Sequence, residues 1–152
     1  MPPPMFDHDY INDSMERLGS LAKDSQPEWG TMTPEALPSH LAGLVLYSMN
    51  RSERAEDQSN WFRRNIVKRV MLSGIAKIPK NIKVPGPIAE RIAPPKPYDV
   101  ESLHALLEEY LALTLADEIT PPPHPFLGPF SVDDWASFHY RHFEHHFRQF
   151  GI

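Results

Sequence analysis

The chain has 152 residues and a mass of 17.4 kDa, so it is expected to form one domain over residues 1–152. Its composition, 41% hydrophobic and 23% charged, argues against extensive disorder. Because it has no cysteine, disulfides, thiol nucleophiles and cysteine-based metal sites are excluded. The start, MPPPMFDHDY, does not resemble a secretory signal, and no apolar run reaches the ~18–20 residues that span a bilayer. We therefore expect a soluble cytoplasmic protein with no membrane partner.

Charge is distributed unevenly along the chain. The net charge is −5, which disfavours nucleic acid as a partner, yet residues 51–83 carry nine basic and only three acidic side chains. This segment is expected to be a solvated helix face, although it could attract an anionic substrate. Within it, Arg63, Arg64 and Lys68 are candidates for holding the carboxylates of an anionic cosubstrate.

Apolar periodicity predicts helices, and no segment alternates with the period of a strand. A proline at position 38 conflicts with a helix that starts at Thr33 and Pro34, so either the first turn is 3₁₀ or the helix begins at Pro38. Ser131 and Asp134 resemble a shortened capping box, and Gly74 is a predicted helix stop. The predicted helices cover about residues 6–22, 33–50, 60–73, 100–117 and 131–150.

Residues 75–97 contain six prolines and show no sustained period. A structureless segment of this length is uncommon inside a domain and is often functional. We predict that it either covers a site as a lid or crosses the surface between helices. The whole pattern favours an all-α four-helix bundle with a long proline-rich crossover connection.

Histidines are concentrated in the last helix. Three of them, His139, His142 and His146, share its apolar face with Trp135 and Phe138 on a helical wheel. Burying an imidazole whose nitrogens lack partners costs about 1–3 kcal/mol per group. A transition-metal ion would remove this cost, and so would a buried polar network with neighbouring tyrosines or Gln149.

His142 and His146 are spaced i and i+4, so both can point a ring nitrogen at one ion. A third ligand must come from another element. His40 is the best placed, because it lies among the inward leucines of the second helix. His8 and His124 look exposed, and His104 is predicted to be a core or surface residue.

Two segments carry a family resemblance. They are Trp29-Gly30-x-Met32-Thr33 with His40-Leu41, and the ending His142-x-x-His145-His146-x-Arg148-Gln149-Phe150-Gly151, which follows the turn His124-Pro125-Phe126-Leu127-Gly128. Together they resemble the DinB/YfiT-like superfamily of metalloenzymes, and more narrowly an uncharacterised branch that ends in this histidine-rich helix.

The resemblance implies a four-helix bundle with a divalent metal, often zinc or nickel, on three histidines. By position these are His40, His142 and His146, the same three residues that the helical wheel favours. Characterised members of the superfamily include S-transferases and isomerases that use glutathione, mycothiol or bacillithiol. The resemblance therefore implies a small-molecule substrate and a low-molecular-weight thiol as cosubstrate.

Three imidazoles would leave a coordination position open, as in catalytic rather than structural metal sites. No carboxylate is predicted on this helix face, since Glu144 points away, which favours thiol-dependent transfer over hydrolysis. His139 is a candidate second-shell partner of the metal or proton shuttle. The alternative is a non-catalytic bundle, with a structural metal or a buried histidine network, that acts as a binding or stress-response module. A homodimer is compatible with either function.

Overall fold

A computed structural model describes residues 6–152, which form helices and no β-strand. This confirms the all-α prediction. None of the helices in this range is long and apolar enough to cross a bilayer. The first half of the segment MPPPMFDHDY lies outside the described residues. The helices are α1 (His8–Gly19), α2 (Leu37–Ser48), a π-helical segment (Arg63–Val67) that continues into α3 (Lys68–Ser73), α4 (Gly86–Ile92), α5 (Val100–Leu115) and α6 (Val132–Phe150).

Side-chain caps fix where the two longest helices begin. Ser131 accepts a hydrogen bond from the backbone N–H of Asp134, and the Asp134 carboxylate accepts one from the N–H of Ser131. This reciprocal pair confirms the predicted capping box of α6. An Asp99–Ser102 pair does the same for α5. At the other end of α6, Gly151 adopts a left-handed conformation (φ 68°) that ends the helix.

Helix α2 begins at Leu37, so Pro38 lies in its first turn. There, the missing N–H of a proline costs no intrahelical hydrogen bond. Thr33 caps only a preceding turn, through a hydrogen bond of 3.1 Å from the backbone N–H of Ala36. The structure therefore agrees with the second alternative from the sequence, in which the helix starts close to Pro38.

Residues 75–97 contain a helix that the sequence pattern did not predict. Helix α4 follows Pro85, and Pro87 occupies its first turn, where proline is tolerated. It buries Ile88 and packs against α2. A side chain at Gly43 of α2 would collide with the carbonyl oxygen of Ile92, so this glycine permits the close approach of the two helices.

The main core lies between the four longest helices, α1, α2, α5 and α6. Helix α1 packs on α5, α5 on α2, and α2 on α6. A second cluster joins Tyr47 of α2 to Trp135 and Phe138 of α6 and to Leu127 and Phe130 in the preceding loop. Because α2 and α6 share both clusters, their histidines are held at a fixed separation.

Candidate metal centre

The three histidines predicted as ligands meet between α2 and α6. The Nε2 atom of His142 lies 3.1 Å from Nε2 of His146 and 3.2 Å from Nε2 of His40. The ligand atoms of all three lie within 4.8 Å of one another. Nitrogens bound to one ion at ~2.0–2.1 Å, with angles of ~90–109°, lie ~2.8–3.4 Å apart. The geometry therefore fits a shared metal ion.

Gln149 determines which nitrogen of His146 faces this group. The side-chain amide of Gln149 donates to the carbonyl oxygen of Trp29 at 2.9 Å, so its own oxygen faces His146. That oxygen can only accept, and it lies 2.7 Å from Nδ1 of His146. The proton of His146 is therefore on Nδ1, and Nε2 presents a lone pair to the group.

The central position of His142 leaves the three nitrogens without a satisfactory hydrogen-bond pattern of their own. A neutral imidazole nitrogen either donates one proton or presents one lone pair. If Nε2 of His142 donates to His146, it has no second proton for His40. If it accepts from His40, it meets the lone pair of His146. A cation that accepts three lone pairs resolves this conflict, which is why the donor set fits a metal.

All three histidines are poised in the neutral form that binds metals. Although His40 is partly exposed at the surface of α2, loss of hydration beside the neighbouring helix, followed by repulsion from His146 and His145, lowers its pKa to about 4. The pKa values of His142 and His146 are also lowered, in both cases mainly by burial. At neutral pH, protons therefore compete little with a metal for these nitrogens.

The group is open on one side. His142 and His146 are each 7% exposed, whereas His40 is exposed at the surface of α2. Within the described part of the chain, the group contains no aspartate or glutamate. The site can thus admit a further ligand from solvent, and its own side chains would leave the charge of a divalent ion unneutralised.

His139 lies outside this group. It is fully buried, stacks on Trp135, and has Nε2 at 2.9 Å from the hydroxyl oxygen of Ser48. Its Nδ1 atom has no hydrogen-bond partner among residues 6–152. Burial, and to a smaller extent His124, lower the pKa of His139 to about 3. The role of His139 as a second-shell partner or proton shuttle stays a prediction.

His124 is buried, so the prediction that it is exposed is wrong. Only 6% of it is accessible, and its Nδ1 accepts hydrogen bonds from the backbone N–H groups of Phe126 and Leu127. Its own backbone pairs with Gly128, which adopts a left-handed conformation (φ 79°). The side chain thus organises the turn before α6. His8, by contrast, is exposed as predicted and pairs with Glu108 at 3.1 Å.

The candidate cosubstrate cations of the basic segment are engaged within the protein. Arg63 donates to the carbonyl oxygen of Gln58, and Arg64 pairs with Asp57 at 2.7 Å. Lys68 lies 3.0 Å from the carboxylate of Asp134. Arg64 and Lys68 are thus paired with carboxylates of the protein, whereas Arg63 contacts only a carbonyl group, and the role of the three cations in holding an anionic cosubstrate stays a prediction.

Glu144 points away from the three histidines, as the helical wheel predicts. Its carboxylate lies 2.9 Å from the guanidinium of Arg17 and accepts from the Tyr10 hydroxyl at 3.3 Å. It is therefore not placed to act as a general base at the histidine group.

The contact between Gln149 and Trp29 was not predicted from the sequence. Gly30 adopts a left-handed conformation (φ 73°), and a Cβ atom there would lie 3.1 Å from the amide nitrogen of Gln149. The backbone N–H of Glu28 also donates to the carbonyl oxygen of Gln149, at 2.7 Å. The Trp29-Gly30 pair therefore supports the last turn of α6. In the sequence, this pair stood out only as part of the Trp29-Gly30-x-Met32-Thr33 motif, which did not indicate this role.

No curated protein and no solved structure shows significant similarity to this chain. A family profile described as "Protein of unknown function (DUF1569)" matches residues 6–151. The match includes α1 to α6 and all three histidines of the candidate metal centre. The chain belongs to the DUF1569 family.

Proposed function

We propose that this protein is an enzyme that binds a divalent transition metal, zinc or nickel, through His40, His142 and His146. The observation that carries this proposal is the convergence of three Nε2 atoms, with those of His146 and His40 at 3.1 and 3.2 Å from that of His142, and with the tautomer of His146 set by Gln149. When bound, such an ion supplies Lewis acidity that lowers the pKa of a water or thiol in its open position.

The arrangement of the helices supports assignment to the DinB/YfiT-like superfamily. The four longest helices share one core, one histidine comes from α2, and the other two come from α6. This is the distribution of ligands that the sequence resemblance implies. Four further predictions come from the sequence and are kept as proposals: a single domain, a lid formed by residues 75–97, a cytoplasmic location and a homodimer.

A thiol cosubstrate is the chemistry that suits the residues around the site. Glu144, the α6 carboxylate that lies between His142 and His146 in sequence, is held by Arg17, and the histidine group of the described residues includes no carboxylate that could activate water. A thiol needs only its pKa lowered to become a nucleophile. We therefore propose a low-molecular-weight thiol as cosubstrate and transfer of its sulfur to a small molecule.

Metal analysis by plasma mass spectrometry tests the binding site. We expect about one zinc or nickel ion per chain in the untagged protein and none in His142→Ala. His104→Ala is the matched control, because it removes an imidazole on α5 that pairs with Glu108 at the surface. Equal metal content in all three proteins, or none in any after incubation with both metals, would refute the site.

Cobalt substitution tests the open position and the thiol together. Addition of glutathione to the cobalt-loaded protein should produce a sulfur-to-cobalt charge-transfer band, and mycothiol and bacillithiol serve as further probes. A spectrum unchanged by all three thiols would overturn the thiol proposal. If chelation also lowers the free energy of unfolding and no thiol is consumed, the metal is structural, and the alternative of a binding or stress-response module is favoured.

A further inference from the structure

A cavity of about 400 Å³ lies beside the candidate metal centre, at the end of α6. Its wall includes Trp29, His145 and Arg148, together with Lys77 and Lys80 from the proline-rich segment. His145 connects the two sites, since its ring lines the cavity and lies 5.0 Å, centroid to centroid, from the ring of His146.

A smaller cavity of about 150 Å³ adjoins the first one. The two share Lys77, Ile78 and Arg148, and the smaller one adds Arg141 and Glu144 to the wall. Both cavities are bounded by α6 on one side and by the segment that follows α3 on the other. The larger one is big enough for a small organic molecule rather than for water alone.

Positive charge predominates among the side chains of the two cavities. Four cationic side chains line them, against the side-chain carboxylates of Glu28 and Glu144, and Glu144 is already paired with Arg17 at 2.9 Å. Within residues 6–152, neither Lys77 nor Arg148 forms an ion pair. An anion would supply the missing partners.

Trp29 gives the cavity an apolar wall beside these charges. Lys80 lies 4.5 Å from the centroid of the Trp29 ring, and the ring of His145 lies 5.5 Å from it on a tilted plane. The cavity combines an aromatic face with a cationic rim.

We propose that this cavity binds the anionic end, a carboxylate or a phosphate, of a small molecule whose reacting group reaches the three histidines. The first half of the proposal, anion binding, stands on the cavity alone. The second half, the direction in which the molecule points, rests on the proposed function. Arg148 and Lys77 hold the anion because they border both cavities.

Nuclear magnetic resonance of the ¹⁵N-labelled protein tests anion binding directly. The indole N–H signal of Trp29, assigned with Trp29→Phe, reports on the cavity while phosphate or succinate is added at constant ionic strength. We expect a saturable shift, with a Kd in the millimolar range, in both the zinc-loaded and the chelator-treated protein. The anion with the lower Kd identifies the group that the cavity prefers.

Two matched variants separate specific binding from general attraction. Arg148→Gln should raise the Kd about tenfold, because it removes a charge-assisted hydrogen bond. Arg54→Gln makes the same change in net charge outside both cavities and should leave the Kd unchanged. Equal weakening in both variants, or no saturable shift with either anion, would overturn the proposal. If the protein binds the anion but takes up no metal, the anion site is supported and its proposed connection to the three histidines is refuted.

Discussion

Replacing Gln149 with methionine tests the support of the candidate metal centre, because it keeps the approximate volume of the side chain and removes both of its hydrogen bonds. Gln149 is 5% exposed, accepts from His146 at 2.7 Å and donates to the carbonyl oxygen of Trp29 at 2.9 Å. The Nδ1–H of His146, left buried and unpaired, costs about 1–3 kcal/mol, and the part-buried carbonyl of Trp29 costs about 1 kcal/mol. We expect Gln149→Met to lower the free energy of unfolding by about 2–4 kcal/mol.

The same substitution should weaken metal binding. With the acceptor gone, the proton of His146 is no longer held on Nδ1, so Nε2 loses its fixed orientation and tautomer. Loss of such a support costs about 10–100-fold in metal affinity. Competition with a chromogenic chelator would measure this change, and urea unfolding of the metal-free protein would measure stability separately.

Gln149→Glu is the control that distinguishes the two effects. A carboxylate can still accept from His146, but it cannot donate to Trp29, whose carbonyl oxygen it would face. At a pH above the titration range of histidine, we expect Gln149→Glu to bind metal at least as tightly as the wild type and to have a lower free energy of unfolding. Unchanged metal affinity in Gln149→Met, or equal weakening in both variants, would refute the assignment of the tautomer to Gln149.

Three further predictions concern stability and are checked by urea unfolding. Burial lowers the pKa of His124 from 6.5 to about 3, so its neutral form stabilises the fold above pH 6.5, and this contribution is lost as the pH falls toward 3. Between about pH 7 and pH 5, the free energy of unfolding should therefore fall by about 2 kcal/mol more in the wild type than in His124→Asn. Gly74→Ala should lower the free energy of unfolding by about 1–2 kcal/mol, because Gly74 has φ 77° and a Cβ there would collide with Arg141. Its control is Gly19→Ala, which has open space around it and should be neutral or stabilising. Ser131→Ala should cost about 1 kcal/mol through loss of the α6 cap and leave metal affinity unchanged, since the cap lies about three turns from His142.

Each of these predictions has a contradicting result. The same pH dependence in His124→Asn and the wild type would show that His124 titrates normally in the folded protein. Equal stability of Gly74→Ala and Gly19→Ala would show that the left-handed stop after α3 is not required. A loss of metal affinity in Ser131→Ala would show that fraying at the start of α6 reaches the histidines.

Much of the candidate site could be predicted from local sequence. The spacing of His142 and His146 is a helical repeat, and their apolar neighbours indicate which face is buried, so two of the three positions follow from the geometry of one helix. His40 could be favoured among four candidates because it lies on an apolar helix. Its selection required the packing of α2 against α6, which no local pattern specifies.

The sequence was least informative where long-range packing overrides local preference. Residues 75–97 have a composition typical of a loop, yet they contain α4. This helix packs against α2 because Gly43 of α2 leaves room for the carbonyl group of Ile92, the last residue of α4. His124 stands between prolines, a pattern typical of an exposed turn, but the aromatic cluster of Trp135 and Phe138 covers it. The π-helical segment before α3 likewise has no signal in apolar periodicity.

By itself, the sequence determined that the protein is helical, where α5 and α6 begin, and that α6 presents a histidine pair on its buried face. These features depend on hydrogen bonds and side-chain spacing within a few residues. Only the tertiary structure decided that His40 completes the group, that Trp29 holds Gln149 against His146, and that cations from distant segments surround one cavity. The contacts of His40 with His142 and of Trp29 with Gln149 join residues 102 and 120 positions apart, and their partners are set by how the helices pack rather than by any local propensity.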